Sequence, residues 1–65
     1  MKLKEINFND LKQKHTKISI GNCNKWYTGS IEEVLTLLPE DWGNKNVKEQ
    51  REFFNGWIIE LEKEN

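Results

Sequence analysis

Cys23 and His15 are the residues whose types most readily suggest covalent chemistry. A cysteine nucleophile needs a base within hydrogen-bond reach, an oriented tautomer and donors for the oxyanion. Cys23 falls in Gly21-Asn22-Cys23-Asn24, a run of turn-forming residues, and His15 approaches it only if the chain folds back. No Gly-x-Ser-x-Gly elbow surrounds it, so Cys23 reads as a small turn residue. The adjacent acids Glu32-Glu33 and Glu40-Asp41 invite acid–base readings, but a catalytic carboxylate needs burial or a tuning neighbour. Their context places them on a solvated helix face and in a loop. One Cys and one His cannot build a structural zinc site, and no EF-hand or phosphate loop is present. The expectation is a chain that is not an enzyme and holds neither metal nor cofactor.

Binding chemistry has more material. Lys12, Lys14, Lys17 and Lys25, with His15 among them, would gather around a hairpin where Trp26 and Tyr27 supply stacking faces for nucleic acid. The chain has one arginine, Arg51, set among acids, and a pI of about 5.8. Bidentate reading of guanine or phosphate is mostly arginine chemistry, so a nucleic-acid-binding regulator is the second reading. The first is a protein contact through Trp26, Tyr27, Glu40, Asp41 and Trp42, because Trp and Tyr dominate interface hot spots. In a small domain these aromatics are equally suited to the core. Glu60, Glu62 and Glu64, with Glu32, Glu33, Glu40 and Asp41, could imitate phosphate spacing, although a solvated acidic surface is the commoner use of such residues.

These residues need elements to hold them. Residues 2–15 fit a strand or a short helix capped at Asn9-Asp10. Thr16-Lys17-Ile18-Ser19-Ile20 alternates and is β-branched, Gly21 to Asn24 turns, and Lys25-Trp26-Tyr27-Thr28 returns as the second strand of a hairpin. Ser30-Ile31-Glu32-Glu33 is a capping box, followed by Ile31, Val34, Leu35 and Leu38 at helical spacing until Pro39. Asn46-Val47-Lys48-Glu49 resembles a second cap. Val47, Phe53, Phe54, Trp57, Ile58 and Leu61 then share one arc of a helical wheel, with Ile59 off the stripe, which predicts a C-terminal helix. The expected core is Ile18, Ile20, Val34, Leu35, Leu38, Phe54, Trp57, Ile58 and Leu61.

Composition bounds the whole. Sixty-five residues, 35% hydrophobic and 11% aromatic, suffice for one small folded domain, residues 1–65, but leave little room for a deep pocket. A lone cysteine forms no disulfide framework, and neither a membrane span nor a secretory signal is visible, so a cytoplasmic location is expected. The near-neutral total hides a division. Residues 1–29 carry six lysines against two acids (net +4), and residues 30–65 carry nine acids against four bases (net −5). Such halves can steer a partner or attract each other within one fold. Absence of Ala and scarcity of Arg carry the imprint of AT-rich coding, as in a low-GC bacterium or its phages.

The fold class expected is α+β, a β-hairpin packed against two or three helices. The function expected is a small non-enzymatic module that binds a larger host protein as an inhibitor or modulator, encoded by a phage or mobile element. A homodimer that completes its core across a symmetric interface is a further reading. The hairpin from Ile18 to Gly29, with Pro39 and Asp41 after it, resembles a segment of ArdA-type antirestriction proteins. Those proteins are much longer and strongly acidic, and no functional residue carries over.

Overall fold

The structure, a computed structural model, describes residues 1–54 and 56–63. It is a small α+β fold in which two helices, α1 (Phe8–Lys14) and α2 (Ile31–Leu37), lie on one side of a mixed sheet. The strands are β1 (Lys17–Gly21), β2 (Trp26–Ser30), β3 (Val47–Phe53) and β4 (Gly56–Leu61), in spatial order β2-β1-β4-β3. Two antiparallel hairpins, β1–β2 and β3–β4, join through the parallel pair β1–β4 at the centre. Short 3₁₀ turns at Leu3–Glu5 and Glu40–Asn44 pack on each other and close one end.

Local chemistry explains most boundaries. Asn7, rather than Asn9 or Asp10, caps α1, its side chain accepting from the Asp10 N–H at 3.1 Å. Residues 2–8 are therefore not a strand; of them only Lys2 bridges, to Asn46, among the described residues. In the β1–β2 turn Asn22 Oδ1 accepts from the N–H groups of Asn24 and Lys25, at 2.9 and 3.3 Å. Ser30 caps α2 by accepting from the Glu33 N–H at 3.2 Å, and the helix stops before Pro39.

The predicted C-terminal helix is instead the β3–β4 hairpin. Alternation wins over the helical arc: Trp57, Ile59 and Leu61 point to the helices, while Ile58 and Glu60 point away. Ile59, expected off the stripe, is fully buried, and Phe54, expected in the core, is 86% exposed. The core is Leu3, Leu11, Ile18, Ile20, Ile31, Val34, Trp42, Ile59 and Leu61, with Trp57, Leu35 and Leu38 partly buried against it. Ile58, also expected there, is half-buried on the opposite face of the sheet. Among the described residues no helix lies on that face.

Candidate binding surface

The uncovered face follows from the register. Residues paired across a ladder share a side, so Lys17, Ser19 and Gly21 of β1 stand beside Trp26, Thr28 and Ser30 of β2 and Gly56, Ile58 and Glu60 of β4. Glu49, Arg51 and Phe53 of β3 complete the row. A hydrogen bond between the Ser19 and Thr28 hydroxyls, 3.0 Å, ties the first hairpin across this face. Trp26 is 42% exposed and lies flat over Gly21, where a Cβ would collide with the indole and with the Lys25 carbonyl. Glycine at 21 is thus what seats Trp26.

At the other end the β3–β4 turn raises two aromatics into solvent. Phe53 is 59% exposed and Phe54 86%. They meet edge to face at 4.5 Å between centroids. Phe54 has φ 53°, a left-handed conformation that costs a bulky L-residue about 1–2 kcal/mol. Between these rings and β1–β2 runs an open groove of about 360 Å³, walled by Lys17, Ser19, Thr28, Phe53, Phe54 and Ile58. No carboxylate belongs to its described lining, and Lys17 has no ion-pair partner among the described residues. Chemically it offers aromatic and aliphatic walls, the hydroxyls of Thr16, Ser19 and Thr28, and one cation.

The residues singled out from the sequence are dispersed by the fold. Trp26 sits on the open face, whereas Tyr27 points to the helix side and meets Trp42 edge to face at 5.2 Å. Trp42 is only 8% exposed and belongs to the core, so it is a packing residue and not an exposed anchor. Glu40 and Asp41 stay exposed on the 3₁₀ turn beside it. The four lysines do not form one patch. Lys12 pairs with Glu32 at 3.6 Å and Lys14 with Asp10 at 3.3 Å. Lys17 borders the groove, and Lys25 lies past the far end of β1, its ammonium 5.1 Å from the Tyr27 ring centroid.

His15 stacks against Trp57 at 5.2 Å, near the start of β1, while exposed Cys23 lies beyond that strand's end. The length of β1 separates them, roughly 15 Å, so they cannot act together. Among the described residues no cluster of His, Cys, Asp or Glu is arranged to hold a metal. The acidic set is equally scattered: Glu32 and Glu33 on α2, Glu40 and Asp41 on the 3₁₀ turn, Glu60 on β4 beside Lys48, with Glu64 outside the described residues. No helix is long and apolar enough to cross a membrane among the described residues.

The groove with Phe53 and Phe54 escaped sequence reasoning because the helical wheel put both rings on the apolar arc and Phe54 in the core. The dipeptide Asn55-Gly56 between two apolar runs is the signal that marks a hairpin there. No family model matches the chain, and neither a curated protein nor a solved structure matches it.

Proposed function

We propose that this chain is a small non-enzymatic binding module that covers a surface on a larger protein, as an inhibitor or modulator, through the open face of its sheet. The observation that carries the reading is Phe54, a bulky aromatic held left-handed and almost wholly exposed beside a second exposed phenylalanine. Both features oppose stability, and strain of this kind concentrates at sites that use it. Exposed aromatics beside a groove are the usual anchors of a protein interface, and Lys17 supplies a cation for an acidic group on the partner. The nucleic-acid reading has less support, because Lys12 and Lys14 are already paired with acids and Lys25 stands apart from Lys17.

The test is affinity capture from a lysate of the source organism with wild type and with the double variant Phe53→Ser, Phe54→Gly. Loss of a captured protein with the circular dichroism spectrum unchanged supports the reading. Equal capture by both proteins overturns it. Salt-sensitive capture of DNA or RNA in place of protein would favour the second reading.

A further inference from the structure

The sheet has two outer edges, and they are built differently. β3 presents Lys48, Glu49, Arg51 and Glu52, and its register breaks between Val47 and Glu49. Charge and irregularity are the devices that keep an edge from pairing with another chain. β2 has neither: Trp26-Tyr27-Thr28-Gly29-Ser30 contains no charge and no proline, and it pairs with β1 in unbroken register along its length. We infer that β2 is a docking edge for a second copy of this chain, the two β2 strands running antiparallel about a two-fold axis at Thr28.

The ladder shows which groups are available. The Asn22 N–H donates to the Lys25 carbonyl at 3.0 Å, and bonded pairs recur at alternate positions, so Tyr27 and Gly29 bond to Ile20 and Ile18. The N–H and C=O of Trp26 and Thr28 then point outward, together with the Ser30 N–H, the Ser30 carbonyl being used by α2. These groups call for an extended backbone. An axis at Thr28 sets Thr28 against Thr28 of the second copy as a mutually bonded pair, with Trp26 against Ser30 on either side.

Charge selects the second copy as the occupant. That register sets Lys25 of each protein at Ile31 of the other, the first residue of α2, whose first turn carries Glu32 and Glu33. Glu32 already holds Lys12, but Glu33 has no ion-pair partner among the described residues. Opposite charges therefore meet at both ends of the junction, and no like charges face each other across the axis. The product is a continuous eight-stranded sheet, which removes the unprotected edge of each copy.

Sedimentation of the full chain over a concentration series tests this, alongside Thr28→Lys, Lys25→Glu and Glu33→Lys. Wild type is expected to dimerise as concentration rises. Thr28→Lys, which sets two ammonium groups against each other at the axis, should weaken dimerisation at least about tenfold. Lys25→Glu and Glu33→Lys should each weaken it alone, and an equimolar mixture of the two should recover a heterodimer. Wild type remaining monomeric at millimolar concentration overturns the inference. So does a natively folded Thr28→Lys protein that dimerises unchanged, or a mixture that fails to recover. Should Thr28→Lys fold poorly through loss of the Ser19 hydroxyl bond, the Lys25 and Glu33 variants, which leave that bond intact, decide the matter.

Discussion

Phe54 and Gly21 occupy opposite ends of the open face and carry opposite conformational costs. At Phe54 the backbone is left-handed and the ring touches little beyond Phe53. Phe54→Gly removes the steric penalty, and the entropy glycine regains on unfolding cancels part of the gain. The variant should be more stable by about 0.5–1 kcal/mol, read as a higher midpoint in a thermal melt. If it also captures less partner, stability and binding are in direct opposition at this residue. A lower midpoint would mean that the ring contributes packing that its exposure conceals. At Gly21 the sign reverses. A methyl group there meets the Lys25 carbonyl and the Trp26 ring, so Gly21→Ala should cost about 1–3 kcal/mol and change the Trp26 fluorescence. An unchanged melt and emission would show that the turn yields without displacing the indole.

The two hairpins differ in how openly their sequences declare them. In β1–β2, Ile18 and Ile20 alternate with Lys17 and Ser19, and Asn22 supplies the turn, so local chemistry and tertiary structure agree. Ser30 was equally plain as the cap of α2. In β3 the buried side is nearly empty, because this is an edge strand exposed over most of its length, and its charges mimic the polar face of a helix. Phe53 and Phe54, which define part of the helical arc, are exposed residues at the end of β3 and in the turn after it, where no periodicity can place them inside. The open face was hidden for the same reason: only pairing β3 with β4 shows where the rings go. The charges on β3 should be dispensable for folding and necessary for solubility. Replacing Lys48, Glu49, Arg51 and Glu52 together with Thr should preserve the sheet and add a second open edge. Light scattering should then rise steeply with concentration, as open chains form in place of the closed pair inferred for wild type. A variant that scatters like wild type would show that the register break alone protects this edge.

Across the molecule, the basic and acidic halves are interleaved by the central β1–β4 pair and linked on the surface by Lys12 and Glu32. An exposed pair of this kind contributes about 0–1 kcal/mol, so the charge division does little to hold the fold together. Packing at the 3₁₀ end does more. The Leu3 N–H donates to the Lys45 carbonyl at 2.9 Å and the Val47 N–H to the Met1 carbonyl at 2.8 Å, tying the start of the chain to the entry of β3. Trp42 fills the space beneath this junction, with Tyr27 against its edge and the Lys45 ammonium 5.8 Å from its ring centroid. Trp42→Ala therefore opens a cavity where the two 3₁₀ turns pack on each other and Tyr27 abuts them, at a cost of about 3–5 kcal/mol. Domains this small bury only a modest core, and total stabilities run to about 5–15 kcal/mol, so the loss takes a large share. The variant should show a shallow or absent cooperative melt by circular dichroism. Glu40→Lys and Asp41→Lys, exposed on the same turn, should stay within about 0.5 kcal/mol of wild type. This difference decides how partner capture is read at that turn. Failed capture by Trp42→Ala reports unfolding, whereas failed capture by the charge reversals reports contact. A Trp42→Ala protein that melts like wild type would remove Trp42 from the core and return it to the surface as an anchor.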